Sequence, residues 1–573
     1  MKKFFKIKRS LVCILAIVMS ISSSFVACKR KTGEEIDSTK TQLYVRIHDG
    51  GYGTSWFTNF ATRFEEKYKD VVFEEGKKGV QIVPDANKNL IQSVSDITGS
   101  RNEVFFAEQL PEYIGLVNNG AFLDITDIVT ESVESNKTDY NPNGTIVDRL
   151  TNEQKDYLCV NGKYYGIPHY ASYFGFQYDV DVFEREGNLC LYFGEDGNFV
   201  KDPTDVTIRS KGPDNIKGTY DDGLPATYDQ FFKLLDRMVA TNLIPIVWSG
   251  DSLGYYGFTL AQLYAQAEGA DQYFLNFSLS GQAENIVESV VPGRNFESTQ
   301  IKTKTVNINN SNGYQLYSQA GRYYATKFFE KIVKNYTKYL HPSSFTTGHS
   351  HLDAEFDFVS SKYDSGSKRV AMILEGTWWE NEVSPRLTDM EVMHGAEASR
   401  KNRNFAFLPL PAPKALEDGE EHKNVLLQDC KTLGFINSGI ADFKKPLAKA
   451  FLQAFYSETE LIEFTVTTNT PIGINYEIPE AKLKEMSPYG RSLLTVVQNS
   501  EILATYSQHP YVLNRFSSFD ISTTFQAEIQ TQAGLVTKDN LLYAFRYDNV
   551  SAEDFFNGMV SKYDLEWWNN NIV

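Results

Sequence analysis

The chain has 573 residues, of which 14% are aromatic, and it carries 56 basic against 73 acidic side chains. A surface this acidic repels phosphate backbones, so the composition argues against nucleic acid as a partner. The length exceeds what one hydrophobic core supports, so at least two lobes are predicted.

The N-terminus has the pattern of an export signal. Residues 2–9 hold five basic side chains and no acid, residues 11–19 are all apolar, and small and polar residues lead up to Cys28. The apolar run is too short to span a bilayer, so residues 1–27 are predicted to be a signal peptide. Taking its five basic residues from 56 leaves 51 against 73 acidic ones, a net charge of −22 for the mature chain.

The end of the leader, SSFVAC, resembles a bacterial lipoprotein signal, in which cleavage leaves an N-terminal cysteine that carries lipid. The resemblance implies that Cys28 is acylated, with palmitate for example, and anchors the chain to a membrane through a polar tether at 28–40. An ordinary signal peptide with an incidental cysteine is the alternative. The remaining cysteines, Cys159, Cys190 and Cys430, match no metal-binding spacing, and no disulfide is expected.

In chain order, the first predicted element is a strand at 42–48, followed by a Gly-rich turn at 49–53 and a helix from about Thr54. Strands at 80–83 and 104–107 come next, so strands and helices alternate. This alternation predicts an α/β fold with a mostly parallel sheet covered by helices. The apolar positions with helical spacing on the first helix are Phe57, Phe60, Ala61, Phe64 and Tyr68.

Two further helices are predicted later in the chain, at about 226–242 and 442–456. The first opens with Thr227 and Gln230, which have the spacing of a capping box. Its apolar stripe consists of Phe231, Leu234, Leu235, Met238 and Val239.

Several segments, taken in order, resemble the extracellular solute-binding proteins of family 1, which serve ABC sugar importers. The segments are YIGLVNNGAFLDITDIV (113–129), VNGKYYGIPHYASYFGFQYDVDVFEREG (160–187), RVAMILEGTWWENEV (369–383), FAFLPLPAP (405–413), TLGFINSGIADFKKPLAKAFLQAF (432–455) and FTVTTNTPIGINYE (464–477). Asp179 stands where the family often has Asn. The order and spacing of the segments over about residues 42–480 carry the resemblance.

The resemblance implies a two-lobe, periplasmic-binding-protein-like α/β fold, with discontinuous lobes and a ligand cleft between them. The N-lobe would comprise 41–167 plus 409–468, and the C-lobe 168–408 plus 469–573. The chain would cross between the lobes near Pro168, near 408–410 and near 469–471. Prolines suit such crossings because they fix φ and resist the interior of a sheet.

A sugar ring presents an apolar C–H face and a rim of hydroxyls, so its site needs stacking aromatic rings and polar side chains that accept hydroxyl protons. Such residues are expected at the carboxyl ends of strands, facing the cleft. The candidates are Asp49, Tyr52 and Trp56 after the first strand, Glu108 and Gln109 after the third, Tyr170 and Tyr173 at the first crossing, Trp248 and Asp251 after an apolar run, and Asp429. Phe174 and Phe176 are expected to pack. Packing of Trp56 on its own helix and a solvated helix start at 108–109 are the alternatives.

The apolar run 370–374 ends in Glu375-Gly376 and is followed by Trp378 and Trp379. Neighbouring side chains on an extended backbone point opposite ways, so both tryptophans cannot enter one core. By resemblance, Trp378 lies against the apolar face of the sugar, Glu375 accepts a hydroxyl and Trp379 points back into the C-lobe.

Two segments carry residue types that bind metals. In GPDNIKGTYDDGLP (212–225), oxygen ligands in a Gly-rich loop suit Ca²⁺ in an export compartment. These calcium candidates are Asp214, Asn215, Asp221 and Asp222. In GHSHLDAEFDF (348–358), alternating polar residues on one side of a predicted strand suit zinc, and an outward polar face has the same pattern. These zinc candidates are His349, His351, Asp353 and Glu355.

Together these features predict a monomeric, lipid-anchored binding protein that captures an oligosaccharide and delivers it to the transmembrane subunits of an ABC permease. It would face the extracellular or periplasmic side of the membrane, require no cofactor and perform no catalysis. The alternative is a surface carbohydrate-active enzyme, a glycoside hydrolase or lyase. Such a hydrolase needs two carboxylates about 5–10 Å apart, and no residue pattern marks a pair.

Overall fold

The computed structural model describes residues 35–572 apart from 109, 111–112, 252–253, 418, 430–431, 506–520 and 532–533. The predicted signal peptide, Cys28 and the tether up to residue 34 lie outside the described residues, as do Gln109 and Cys430. Cys159 and Cys190 are free thiols. Within the described ranges, no helix is long and apolar enough to cross a membrane.

Strands are spread along the whole chain. In chain order those of the described residues are β1 (Thr41–His48), β2 (Val80–Asn87), β3 (Val104–Ala107), β4 (Cys159–Val160), β5 (Lys163–Tyr164), β6 (Ile167–Pro168), β7 (Phe174–Asp179), β8 (Ile244–Val247), β9 (Gly281–Val291), β10 (Gln300–Ile308), β11 (Val370–Gly376), β12 (Phe405–Phe407), β13 (Asn424–Asp429), β14 (Leu433–Ile436), β15 (Ser500–Thr505), β16 (Ala527–Thr531) and β17 (Gly534–Lys538).

Helices alternate with these strands and become denser towards the C-terminus. They comprise Ser55–Lys67, Val94–Thr98, Tyr113–Asn118, Thr126–Thr130, Asn152–Leu158, Val180–Phe183, Tyr228–Ala240, Gly254–Glu268, Ala270–Ser278, Ala320–Lys334, Tyr336–Tyr339, His351–Ser360, Trp379–Glu382, Ser384–His394, Lys445–Phe455, Glu458–Thr468, Glu480–Leu483, Pro488–Gln498, Leu541–Tyr547, Ala552–Lys562 and Leu565–Asn571.

The first sheet has the strand order β2-β1-β3-β14-β6. β1 runs parallel to both β2 and β3, as the alternation of strands and helices predicts. β14 comes from late in the chain and runs antiparallel to β3 and β6, so the sheet is mixed rather than mostly parallel. The helix Ser55–Lys67 shares the core of this sheet through Phe57, Phe60 and Phe64.

The second sheet has the order β12-β7-β11-β8. β11 lies inside it, parallel to β8 and antiparallel to β7, and every residue of β11 is buried. A strand covered on both faces needs a continuous apolar run, which residues 370–374 supply. Because β8 and β11 are parallel, their carboxyl ends lie at the same edge of the sheet.

The helix Tyr228–Ala240 forms where its capping and apolar pattern predict. Thr227 Oγ1 accepts the backbone N–H of Gln230 at 3.2 Å, which satisfies a free donor of the first turn. The buried side chains of the helix include the predicted Phe231, Leu234, Leu235 and Met238. The predicted helix at 442–456 is observed at Lys445–Phe455, after one 3₁₀ turn.

A pair of strands joins segments that the predicted boundaries assign to different lobes. β13 pairs in parallel with β15, and Val425 and Leu503 on them belong to the same core as Ile246 and Met372 of the second sheet. The exact lobe boundaries stay a prediction. Near the C-terminus, Trp568 is fully buried and its Nε1–H donates to the carbonyl of Asn310 at 2.7 Å, so this tryptophan packs in the core.

A buried ion pair ties the end of β7 to the segment before β12. Asp179 is 1% exposed, and its Oδ2 lies 3.2 Å from the guanidinium of Arg403, which is fully buried, and 2.5 Å from that of Arg369. Asp179 also caps the following helix by accepting the N–H of Asp181. Since a buried guanidinium without a counter-ion is costly, Asp179 is the residue on which this corner depends.

We expect Asp179→Ala to lower the unfolding free energy by about 3–5 kcal/mol, because it leaves Arg403 buried without its carboxylate. Thermal and urea unfolding measure this. The matched control is Glu66→Gln, which removes one partner of an exposed pair with Lys69 and is expected to change nothing measurable. Equal melting temperatures for the two variants would contradict the assignment.

Candidate functional site

The loop after β1 and the segment after β11 meet at a group of aromatic rings. The ring of Tyr52 lies 4.4 Å from that of Tyr170 and 6.4 Å from that of Trp378, edge to face in both cases. The Tyr52 hydroxyl lies 3.5 Å from Thr377 Oγ1. Residues of the first sheet therefore contact residues of the second sheet at the carboxyl ends of their strands.

Two glycines allow this approach. A Cβ on Gly376 would lie 2.4 Å from the ring of Trp378, so any other residue at this position would displace that ring. Gly51 has φ +48°, which favours glycine, and a Cβ built on it would lie 3.5 Å from the side chain of Trp378. Gly376 therefore makes room for the Trp378 ring at the end of β11.

Trp378 belongs to a half-exposed aromatic wall formed by Trp378, Phe174, Tyr255 and Phe258. Trp378 contacts Phe174 at 5.1 Å and Tyr255 at 5.9 Å between ring centroids. Phe258, which is 43% exposed, stacks on Phe174 at 4.3 Å. Phe174 was expected to pack in a core, and Tyr255 and Phe258 carry no sequence signal that distinguishes them from other aromatic residues.

Trp379, unlike its neighbour Trp378, lies in the hydrophobic core. It is fully buried, and its ring lies 5.2 to 5.5 Å from those of Phe358, Phe405 and Tyr489. The prediction that Trp379 points into the core beside β11 is confirmed. Residue 379 begins a short helix, so the backbone turns between the two tryptophans.

Glu108, at the end of β3, contributes a carboxyl group from the first sheet. Burial raises the pKa of Glu108 to about 7, against a hydrogen bond with Tyr170 that lowers it. His48 Nε2 lies 3.3 Å from Glu108 Oε2, and burial lowers the pKa of His48. Both groups are therefore pushed towards their neutral forms, and the pair is available to exchange hydrogen bonds with a ligand.

Three further glutamates, Glu355, Glu375 and Glu382, form an acidic cluster beside the aromatic wall. Glu355 and Glu375 are buried, and burial raises the pKa of each well above its usual range, with the neighbouring carboxylates raising it further. Glu375 Oε2 accepts the N–H of Gly376 at 2.7 Å. Among the described residues, the buried oxygens of Glu355 and Oε2 of Glu382 find no donor other than each other's carboxyl group, when one of the two is protonated.

The acidic cluster surrounds Tyr255. The charges of Glu375, Glu382, Glu355 and Glu108 all raise the pKa of Tyr255, in addition to its burial. Among the described residues, no Lys or Arg forms an ion pair with these acids, and two histidines lie beside them, His48 at Glu108 and His351 at 3.9 Å from Glu382. Unpaired buried acceptors are costly unless a ligand supplies donors.

Glu108 and Glu375 were predicted to be ligand contacts. Glu382 was not predicted, and Glu355 was predicted only as a zinc ligand. The segment 348–358 was predicted to be a strand, and it is the helix His351–Ser360 instead. The signal for this helix is a capping box: Ser350 Oγ accepts the N–H of Asp353, whose carboxylate accepts the N–H of Ser350. On a helix, Glu355 turns away from His349 and towards β11.

Three of the predicted ligand contacts lie in packed surroundings. Trp56 contacts Phe106 and donates its Nε1–H to the carbonyl of Gly53 at 3.0 Å. Trp248 donates to the carbonyl of Ser344 at 2.9 Å. Both side chains are buried, as are Tyr173 and, at the edge of the wall, Tyr52 and Tyr170. The aromatic wall and the acidic cluster are complete without Trp56, Trp248 and Tyr173.

The other predicted residues fall outside the wall and the cluster. Asp49 is half-buried, beside His48. Asp251 is exposed, and its Oδ1 accepts the N–H of Gly348 at 2.7 Å, which fastens one loop to another. Gln109 and the side chain of Asp429 lie outside the described residues. Whether Tyr52, Tyr170 or any of these residues contacts a ligand stays a prediction.

The predicted calcium loop is compact and rich in buried carboxylates. Asp221 and Asp222 are buried, and burial together with the charge of Asp214 raises the pKa of Asp221 to about 7. Asp222 Oδ1 is buried without a partner, while Asn215 donates its amide to two backbone carbonyls. Oxygen donors of this kind suit Ca²⁺, with Asp214, Asp221 and Asp222 as its ligands, and calcium binding stays a prediction.

Comparisons with known proteins bear on the fold. No protein-family model matches the chain, and no curated protein matches it in sequence. Among solved structures, a chitin oligosaccharide binding protein has a TM-score of 0.52 and 13% identity, over 93% of this chain and 99% of that one. RafE in complex with raffinose has a TM-score of 0.50 and 14% identity, over 91% and 99%. The apo-form of RafE from Streptococcus pneumoniae has a TM-score of 0.50 and 12% identity, over 92% and 99%.

The chain has the two-lobe solute-binding-protein fold. The likeness spans nearly the full length of both chains, so it covers the two sheets and the helices between them. The predicted α/β fold class is therefore confirmed. At this sequence identity, the structural likeness establishes the fold alone.

The two adjacent tryptophans give a matched pair of variants. We expect Trp378→Ala to weaken oligosaccharide binding roughly tenfold, because an aromatic stack is worth about 1 kcal/mol beyond the area that it buries. Trp379→Ala should instead cost about 3–5 kcal/mol of stability, as a cavity in a core does. Titration calorimetry and thermal unfolding of both variants measure these effects. Normal binding and normal melting in both would contradict the site.

Proposed function

We propose that this protein is a carbohydrate-binding protein that captures an oligosaccharide between its two lobes and delivers it to the transmembrane subunits of an ABC permease. The observation that carries the proposal is the junction of Tyr52 and Glu108 with Trp378 and Glu375. The first two follow strands of the first sheet, and the other two end or follow β11 of the second.

The chemistry of this junction matches that of a sugar. The half-exposed ring of Trp378 offers a flat apolar face for ring C–H groups. The carboxyl groups of Glu355 and Glu382 can exchange hydrogen bonds with sugar hydroxyls, because a carboxyl group accepts in either protonation state and donates when it is protonated. A sugar thus supplies the donors that the acidic cluster lacks.

Hinge closure is the proposed mechanism. A ligand that contacts Glu108 on one side and Trp378 on the other makes both sets of contacts only when the lobes are together. Binding therefore stabilises the closed state, which a permease distinguishes from the open one. The solved structures of similar fold include proteins named for chitin oligosaccharide and raffinose, which supports an oligosaccharide as the ligand.

The location of the protein follows from its leader. We propose that the chain is exported, that Cys28 carries the lipid anchor and that a single copy faces the extracellular or periplasmic side. The basic and apolar leader that ends in SSFVAC supports this. An anchored binding protein remains close to its permease, which raises the effective concentration of the complex.

A surface glycoside hydrolase is the alternative, because the cleft holds several carboxyl groups with raised pKa, the property of a general acid. Carbohydrate binding without hydrolysis is favoured because the similar structures are named as binding proteins. Release of reducing sugar by the purified protein would support the hydrolase.

The deciding experiment is isothermal titration against panels of oligosaccharides and monosaccharides, with thermal unfolding in parallel. We expect saturable binding of at least one oligosaccharide, and a stabilisation of about 2.7 kcal/mol when the ligand is present at 100 times its Kd. Trp248→Phe, which alters a buried tryptophan outside the site, is the control and should bind normally. If no sugar of either panel binds and a peptide binds instead, the proposal is overturned.

A further inference from the structure

The geometry points to a divalent-cation site of the zinc class formed by His341, His349 and Asp357, the last of which lies on the same helix as Glu355 of the acidic cluster. It is independent of the proposed function, and its three ligands leave a fourth position for water. The predicted zinc candidates included only His349 of this set.

The distances between the donor atoms fit a small tetrahedral ion. His349 Nε2 lies 2.9 Å and His341 Nδ1 lies 3.4 Å from the same oxygen, Asp357 Oδ2. All three donor atoms lie within 4.8 Å of one another. Zinc binds imidazole nitrogen and carboxylate oxygen at about 2.0–2.2 Å, which places ligand atoms about 3.3 Å apart in a tetrahedron. The two nitrogen–oxygen spacings match this value to within a few tenths of an ångström, and the histidine nitrogens, at most 4.8 Å apart, would close onto the ion by side-chain rotation.

The fold holds the three side chains on separate elements. The His341 N–H donates to the carbonyl of Ile246 at the end of β8. The carbonyl of His349 accepts the N–H groups of Gly250 and Asp251, so the loop that carries His349 is fastened to the segment after β8. Asp357 lies on the helix His351–Ser360. Ligands supplied by two loops and a helix, with both loops hydrogen-bonded to β8 or the segment after it, are positioned before any ion arrives.

The electrostatic state of the cluster favours a cation. In the described part of the chain, Asp357 forms no ion pair with Lys or Arg, and its partners are the two histidines. His341 Nδ1 also accepts the backbone N–H of Ser343 at 3.4 Å, a long contact that a bound ion would replace. Among the described residues, His349 Nδ1 has no hydrogen-bond partner.

The proposed zinc site is accessible to solvent, and an ion bound there would stabilise the segments around it. The side chains of His341 and Asp357 are 20% and 31% exposed, so an ion can enter from solvent. His351, at the start of the same helix, lies with its ring 6.4 Å from that of Tyr255 in the aromatic wall. A bound ion would brace the helix and the loop behind this wall.

The test uses the mature chain prepared without a polyhistidine tag, stripped with chelator and titrated with Zn²⁺. We expect one zinc per chain by calorimetry and elemental analysis, and a rise in Tm with zinc. His349→Ala and Asp357→Asn should each abolish saturable binding. His394→Ala, which removes a histidine that stacks on Tyr363, is the matched control and should retain it. Mg²⁺ should not replace zinc, because it prefers oxygen ligands.

A second measurement does not depend on the variants. Co²⁺ added to the wild-type chain should give the intense visible absorption of a tetrahedral site, and Zn²⁺ should displace it. Absence of zinc binding, retention of zinc by both ligand variants, or a weak octahedral cobalt spectrum would each overturn the assignment and leave a hydrogen-bonded His–Asp–His contact. None of these results depends on whether the chain binds a sugar.

Discussion

The contact between Trp378 and Gly376 is the constraint from which the rest of the site follows. Only a glycine leaves room for the indole ring directly above the end of β11. That position brings the ring against Tyr52 on one side and Tyr255 on the other. Because β11 is buried along its whole length in the second sheet, the ring is mounted on a rigid element, as a stacking platform for a ligand requires.

The acidic cluster is the second determinant, and it is unfavourable by itself. Glu355 and Glu375 lose hydration on burial and gain few protein donors in return, which is why their pKa values rise. In the proposed function, the hydroxyl groups of a carbohydrate offset this loss by forming hydrogen bonds with these carboxyl groups.

Much of the fold could be predicted from the sequence because local patterns dictate it. β3 matches its predicted range, and the helix Tyr228–Ala240 falls within its predicted range, since an apolar run and a capped amphipathic stripe are local signals. The burial of Trp379 beside a half-exposed Trp378 was expected, but the turn into the helix that begins at Trp379, rather than the alternation of side chains on a strand, separates the two rings. The mixed first sheet was not predicted, because β14 reaches β3 from far along the chain.

The site was harder to predict, since the direction of a side chain depends on neighbours that are distant in sequence. Trp56 and Trp248 follow strands, as a ligand contact would, and both turn into cores instead. Glu355 and Glu382 converge only because the helix His351–Ser360 packs beside β11. Because residues 348–358 were predicted to be a strand, the cluster of His341, His349 and Asp357 was not predicted. A helix is needed to bring Asp357 to the two histidines.

The most direct test of the account is the crystal structure of the chain with an oligosaccharide that binds it. We expect a sugar ring to stack on Trp378. Its hydroxyls should hydrogen-bond with Glu108, which follows the first sheet, and with at least one of Glu355, Glu375 and Glu382 beside the second sheet. A ligand that contacts residues of one sheet only, or that lies away from Trp378, would contradict it.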